Sequence, residues 1–274
     1  MRVVILCPSV YSETSCAVAV RLARLGHAPI GALTLPTFDP RTLLRKLGQW
    51  GAHHVLRYAR EKLISTNRTP MQARNPYLQE LLEDGEESFR SLREVATRFG
   101  FPIVATTDHN APDAIVQLKE WSPDLMIFTG GGILRQPLLQ VPRLGVLNAH
   151  LGLLPEIRGM SSPEWSLLSG VPVGVTVHFI DPGIDSGPVL LRRQLPGAAR
   201  SESLDDLRNR LIAFGIEMVG EVVSDLDRGA ITAMPQSEAN QDNQYFVMHE
   251  WLRARAAQRL KQSNPVDAGV RAHG

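Results

Sequence analysis

Two short stretches of this chain carry residue types that could handle a carbonyl group. The first, LNAHLGLLPEIRG, runs from Leu147 to Gly159, and the second, VTVHFIDPGIDSGPVLL, from Val175 to Leu191. Asn148 and His150 stand two apart in a run with strand character, so the alternation of a strand sends both side chains to one side. An amide donates hydrogen bonds without titrating, and an imidazole can donate, accept or carry a proton near neutral pH. In the second stretch the Asp181-Pro182-Gly183 turn leads to Asp185-Ser186-Gly187-Pro188, a loop that can bring a carboxylate back to the imidazole. A carboxylate beside His150 would orient the ring and raise its proton affinity, setting a cationic donor next to a developing oxyanion. Amide, imidazole and carboxylate around one gap meet the needs of acyl transfer. A strand Asn or His alone reads more simply as a hydrogen-bonded structural residue; the second stretch is what favours catalysis by Asn148, His150 and Asp185.

Positioning such a set requires a scaffold, and the rest of the chain supplies the pattern for one. Val3 to Cys7 reads as a strand, Glu13 to Leu25 as a helix closed at Gly26, and Pro29 to Leu33 as a second strand. A polar, basic segment interrupts the rhythm until a helix at Ser88 to Phe99. Strand Ile103 to Ala105, helix Ala111 to Glu120 with Asn110 as N-cap, and strand Leu125 to Phe128 follow, then the glycines 130 to 132. Val146 to His150 is a further strand, Ser162 caps a helix with Pro163 at its first position, and Val173 to Ile180 and Val189 to Leu195 are β-rich. This βαβα order predicts an α/β fold with a mainly parallel sheet of about seven strands and helices on both faces. Asn148 and His150 then fall at the carboxyl end of a parallel sheet, where open α/β folds bind ligands. Ser203 and Asp206 open a long helix whose Leu204, Leu207, Leu211, Phe214, Met218 and Val222 form one apolar face for packing. A last helix spans about Met248 to Lys261, and residues 262–274 are polar enough to be disordered. The domain organisation expected is 1–200 as catalytic domain with an insertion at 37–85, and 201–261 as a helical C-terminal extension.

Composition narrows the class. With 274 residues, 43% of them hydrophobic, the chain can bury a large core. No run approaches the ~20 apolar residues of a membrane span, and the N-terminus has no signal-peptide layout, so a cytoplasmic location is the expectation. Cys7 and Cys16 have neither disulfide nor metal spacing, and no metal site is expected. A formal charge of +1 gives no global pull toward nucleic acid. His27, His53, His54, His109, His249 and His273 show no partner pattern and read as structural or surface residues.

The two stretches resemble the N10-formyltetrahydrofolate-dependent formyltransferases, the family of glycinamide ribonucleotide, methionyl-tRNA and nucleotide-sugar formyltransferases. The resemblance covers roughly residues 100 to 195 and rests on Asn148, His150, Leu153, Leu154, Pro155, Gly159, His178, Asp185, Gly187 and Pro188. It implies a Rossmann-like formyltransferase fold, N10-formyltetrahydrofolate as co-substrate, and Asn148, His150 and Asp185 as the catalytic set. It also implies a pterin pocket built largely from main chain at Gly130 to Leu134, with Ile133 and Leu134 as an apolar bracket, and at Ile180, Asp181 and Gly183. The glycines alone are a weak signal and make no dinucleotide fingerprint. One departure is Leu151-Gly152 where the family commonly has Pro-Ser, which removes any hydroxyl contact from that serine.

The acceptor is approached by exclusion. The first turn, Pro8 to Ser12, has no glycine to cradle a phosphate, which disfavours glycinamide ribonucleotide. Residues after 200 read as helices rather than the C-terminal barrel usual in methionyl-tRNA formyltransferases. The expected acceptor is a small-molecule primary amine, with a phosphate-bearing amino sugar on a nucleotide carrier as leading example. Aminoacyl-tRNA is the runner-up, and a formyltetrahydrofolate hydrolase or a non-catalytic folate-binding protein stays open. Between Thr37 and Arg74 eight basic residues face Asp39 and Glu61, a local charge of +6. Leu43, Leu44, Leu47 and Trp50 at helical spacing make an amphipathic helix the plain reading there, and contact with phosphate the sharper one.

Overall fold

The computed structural model describes residues 1–36, 75–84, 87–201, 203–237 and 244–262; the basic segment 37–74, with the amphipathic helix expected in it, and residues 263–274 of the expected tail lie outside them. In chain order the strands are β1 (Val3–Cys7), β2 (Gly31–Thr34), β3 (Glu83–Asp84), β4 (Glu87–Ser88), β5 (Ile103–Ala105), β6 (Leu125–Phe128), β7 (Gly145–His150), β8 (Arg158–Gly159), β9 (Gly174–Phe179), β10 (Val189–Gln194) and β11 (Gln244–Tyr245). The helices are α1 (Glu13–Arg24), α2 (Gln79–Leu82), α3 (Leu92–Phe99), α4 (Pro112–Trp121), α5 (Gln136–Leu139), α6 (Ser162–Ser169), α7 (Leu204–Asp227) and α8 (Glu250–Gln262).

The main sheet has seven strands in the order β10-β9-β7-β6-β1-β2-β5. From β5 to β7 every pairing is parallel, and β9 and β10 then turn back as an antiparallel pair on β7. Period-2 alternation divides the side chains between two cores. Val3, Ile5, Cys7, Leu147, Val175 and Val177 face α1, α3 and α7, whereas Val4, Leu6, Leu33, Met126 and Val146 face α4 and α5. Cys7 and Cys16 are free and buried, and burial pushes the Cys7 thiol up to about 12, which suits packing rather than nucleophilic attack.

Local signals place most ends. Ser12, Ser91 and Ser203 each cap a helix by accepting from the N–H three residues on, and Gly100 closes α3 at φ 74°. Two expected caps are corrected. Asn110 does not cap α4; Ala111 stands there, and Asn110 crosses to the glycine loop, donating to the Ile133 carbonyl at 2.9 Å and accepting from the Arg135 N–H at 2.7 Å. A tertiary pair of bonds thus outcompetes the local one, Pro112 having already removed one N–H that needs a cap. Ser162 is the first residue of α6 rather than its cap; Ser161 holds the cap position at φ 53° with no side-chain bond to the helix. No helix among the described residues is long and apolar enough to cross a membrane.

Candidate active site

Leu147 and Ala149 of β7 face the α7 core, so Asn148 and His150 share the opposite face. β9 runs antiparallel beside β7 in a register that sets His178 directly opposite Asn148 and Thr176 opposite His150. Thr176 Oγ1 accepts from the Leu154 N–H at 3.0 Å and donates to the Gly152 carbonyl at 2.8 Å, tying the loop after β7 to β9. His178 Nδ1 lies 2.8 Å from the Phe179 carbonyl, and its Nε2 lies 3.3 Å from Asn148 Nδ2. A carbonyl only accepts, so Nδ1 carries a proton, and the tautomer with its proton there leaves Nε2 to accept from the amide. The Asn148 amide is thereby oriented, with a second N–H as a donor.

His150 is 6% exposed. Its Nε2 lies 2.8 Å from the Ile157 carbonyl and 3.3 Å from Ser162 Oγ, and its Nδ1 lies 3.3 Å from Asp185 Oδ2. Asp185 arrives on a tight loop. Asp181 Oδ1 accepts from the Gly183 N–H at 3.1 Å and Ser186 Oγ at 2.7 Å, and a Cβ on Gly187 would run into the Phe179 carbonyl. Asp185 itself is left-handed at φ 51°, a conformation that aspartate tolerates better than most residues. Its Oδ2 accepts from the Gly159 N–H at 2.8 Å, and its Oδ1 lies 3.6 Å from His178 Nε2.

Burial pushes the Asp185 carboxyl up, but the neighbouring His178 and His150 rings and the Gly159 N–H together hold it below the usual carboxylate value. At His150 the balance reverses. Burial pushes its proton affinity down, Asp185 pulls it up, His178 pushes it down again, and the ring ends below the ordinary 6.5. The expectation of a raised His150 is therefore corrected: the carboxylate acts in the expected direction, and desolvation of so buried a ring outweighs it. The resting ring is neutral, with its Nδ1 lone pair facing a carboxylate oxygen, so a proton arriving between those two atoms is bound by both.

The other expected site residues lie on two loops that rest on the α4/α5 core. Gly130, Gly131 and Gly132 have φ of 127°, 120° and 106°, values that suit glycine alone. Ile133 is 75% exposed, whereas Leu134 is buried in the core and Ile180 packs against it. The Asp181 carboxylate and Gly183 N–H bond to each other within their own loop. His178, quoted in the second stretch but left outside the catalytic set, sits between Asn148 and Asp185; its alternation on a strand was the signal. Gly159 belongs to the pattern that carried the resemblance, but the role of its N–H and that of Ser162 had no signal, because both come from how the loop after β7 folds back. Among the described residues no group of three or more His, Cys, Asp or Glu could hold a metal ion.

A doubly wound α/β sheet with an amide, two imidazoles and a carboxylate at the carboxyl end of its parallel strands defines the class: an α/β domain with a polar site at that end. A family model described as "Formyl transferase" matches residues 71–223, more than half of the chain, and the chain belongs to that family. It is 34% identical over 150 residues to a methionyl-tRNA formyltransferase of Trichlorobacter lovleyi, covering 54% of this chain and 47% of that protein. The chain thus spans about half the length of the curated relatives it matches. Among solved structures it is similar to glycinamide ribonucleotide transformylase 1 from Symbiobacterium toebii (TM-score 0.54, 18% identity, 86% of this chain and 95% of that one). It is also similar to a sugar N-formyltransferase from Shewanella sp (TM-score 0.54, 15% identity, 95% of this chain and 87% of that one). At those identities the likeness is one of fold.

Proposed function

We propose that this protein transfers a formyl group from N10-formyltetrahydrofolate to a primary amine, with Asn148, His150 and Asp185 as catalytic residues. One observation carries the reading: the three groups converge with His178 through contacts of 3.3 Å, 3.3 Å and 3.6 Å at the sheet's carboxyl end. The folate suits the residues present. The glycine loop is open at Gly132, beside exposed Ile133, where a Cβ would meet nothing within 4 Å, whereas Gly131 is covered by His109 and Leu35. A flat, amide-bearing ring can be held there by backbone groups, with the Ile180–Gly183 loop as the second wall. When bound, the donor supplies a formyl carbon joined to nitrogen.

The chain's own residues then have separate tasks. Asn148, its amide oriented by His178, donates to the formyl oxygen as negative charge grows there; one such donor is worth ~2.7 to 4 kcal/mol. His150 is neutral at rest and becomes a stronger base as that charge develops, so it gains a proton when a cation is useful. Asp185 accepts the one proton that the attacking amine releases as its nitrogen bonds the formyl carbon, shares it between Oδ2 and His150 Nδ1, and returns it, directly or through water, to the donor's nitrogen as the bond from that nitrogen to the formyl carbon breaks.

For the acceptor we place a small-molecule amine first, with an amino sugar on a nucleotide carrier as leading example. Ser12 caps α1 and Glu13 adds a negative charge to its first turn, so that helix end disfavours a phosphate. Beyond residue 200 the described residues hold two α-helices and the two-residue strand β11, with no barrel among them. Aminoacyl-tRNA is the second reading, favoured by the names of the sequence relatives. Purified protein is to be mixed with N10-formyltetrahydrofolate and no acceptor, a panel of nucleotide-linked amino sugars, or charged tRNA, with folate absorbance as readout. Tetrahydrofolate release that needs an amino sugar supports the proposal. Release without acceptor marks a hydrolase, release with tRNA selects the second reading, and no release in any arm overturns formyl transfer.

A further inference from the structure

The segment after α7 lies beyond the part of the chain that the family model matches, yet it grips the site from two sides. Gln236 Nε2 donates to the carbonyls of Asp185 at 2.9 Å and Gly187 at 2.7 Å, while its Oε1 accepts from Nη2 of buried Arg158 at 3.1 Å. Eight residues on, β11 pairs in parallel with β8, and the Tyr245 carbonyl accepts from the Met160 N–H at 2.9 Å. Just before Gln236, Met234 and Val189 exchange both backbone hydrogen bonds at 2.8 Å. The bond from the Gly159 N–H to Asp185 Oδ2 is therefore held at both its ends by one stretch of chain.

Asp185 is where such a hold matters. Its left-handed backbone is a conformation that a non-glycine residue keeps only when its surroundings enforce it. One amide nitrogen reaching two carbonyls two residues apart holds the Asp185–Ser186 and Gly187–Pro188 peptide planes, and with them the direction in which the Asp185 carboxylate leaves the chain. Side-chain bonds within the loop involve Asp181, Gly183 and Ser186 and do not reach the Asp185 carbonyl. We propose that Gln236 is a positioning residue: through the Asp185 and Gly187 carbonyls it holds the Asp185 carboxylate against His150, so that the C-terminal extension completes the reaction site. The effect on turnover rests on the formyl-transfer reading; the effect on the Asp185–His150 pair does not.

Two variants of the full chain test this. Gln236→Ala removes all three contacts, whereas Gln236→Glu keeps an acceptor for Arg158 and replaces the donor with an oxygen facing two carbonyls. Both should lower kcat roughly tenfold or more, the scale on which a displaced catalytic group costs rate, and leave the donor KM within about twofold. In the same proteins the His150 ring, followed by imidazole NMR, should titrate at a lower pH than in the wild type, because the carboxylate that pulls its proton affinity up is less well held. The melting temperature serves as control, and Gln236→Met, which fills the space without a donor, replaces alanine if alanine unfolds. Wild-type kcat with an unmoved His150 titration overturns the proposal. So does wild-type behaviour in Gln236→Glu alone, since the contact that matters would then be the one with Arg158. If the wild-type protein transfers no formyl group at all, the NMR arm still decides: a moved His150 upholds the positioning role, and an unmoved one ends it.

Discussion

The ends of β1 and β7 lie in one sheet with only β6 between them, and they treat their polar groups in opposite ways. Beyond β1 the hydroxyls satisfy one another. Ser12 Oγ accepts from the Ser15 N–H at 3.2 Å and from Ser15 Oγ at 2.8 Å, Ser15 Oγ meets Thr129 Oγ1 at 2.7 Å, and Thr129 Oγ1 is 2.9 Å from the Leu6 carbonyl. Glu13 then accepts from the Asn75 N–H at 3.2 Å. The hydroxyl contacts run as a chain from Ser12 to the Leu6 carbonyl, and hydroxyls that bond one another have little to offer a ligand. Beyond β7 the groups are an amide, two imidazoles and a carboxylate, and the Asp185–histidine contacts of 3.3 Å and 3.6 Å are too long to be closed hydrogen bonds. The difference teaches where a shared sheet edge keeps polar groups available: at the strand whose polar side chains are gathered and oriented by neighbours but not used up by them.

The largest expected effects come from emptying the β7 end. Asn148→Ala, His150→Ala and Asp185→Ala should each lower kcat by about 10²- to 10³-fold, the usual loss for one removed donor. Circular dichroism should stay that of the wild type. A variant with near-normal turnover would remove its residue from the scheme and weaken the contrast with β1. A smaller effect is expected from Gly152→Ser, which restores the residue common in relatives. A Cβ at 152 would lie 2.8 Å from His150 Nε2, 3.0 Å from the Ile157 carbonyl and 3.0 Å from Ser162 Cβ, so the ring or the loop around it must give way and its alignment with Asp185 changes. Here we expect kcat to fall by about tenfold, consistent with misplacing a catalytic group by less than an ångström. Unchanged turnover would show that the ring's position is not what Gly152 secures.

Protonation supplies the next test. His150 and His109 are both buried, and burial lowers the proton affinity of each, at His109 against the backbone carbonyls of Leu33 and Cys7 and the charge of Asp108. A histidine with depressed folded-state affinity binds fewer protons than its unfolded counterpart. Its contribution to stability is complete above the unfolded value of 6.5 and is lost as pH falls from there through the folded value. Thermal melts from pH 8 downward should therefore hold steady and then decline below about 6.5, with a slope of up to about 1.4 kcal/mol per pH unit for each such proton. His109→Gln should flatten the decline without changing its direction. A melting curve that rises on acidification through this window would contradict the neutral resting state of both rings.

Much of this was legible in the sequence for definite reasons. Strand alternation placed Asn148 and His150 on one face, and the βαβα order yielded the seven-stranded, mainly parallel sheet, because both depend on local periodicity. The Asp181–Pro188 turn announced a loop through its own turn residues. What stayed hidden depends on contacts distant in the chain. Asn110 looks like a cap until the glycine loop, 23 residues on, offers it two better partners. The proton affinity of His150 could not be read from its carboxylate neighbour, because the depth of burial decides its sign. Gln236 meets Asp185 across 51 residues with no periodicity between them.

The smallest expected effect is the one that sharpens the comparison most. Ser12→Ala shortens the hydroxyl chain and uncaps α1, which should cost about 1 kcal/mol. For a chain of this size that corresponds to a fall in melting temperature of about 2 to 4 °C. If the β1 end is structural, kcat and the acceptor KM stay at wild-type values, and inorganic phosphate added to the wild-type protein does not compete with the acceptor. Should Ser12→Ala raise the acceptor KM, or phosphate act as a competitive inhibitor that this substitution relieves, the two strand ends would both belong to the binding site. The acceptor would then be one whose phosphate lies against α1, since a capped helix with an acidic first turn can take a phosphate only when other groups supply the positive charge that Glu13 opposes.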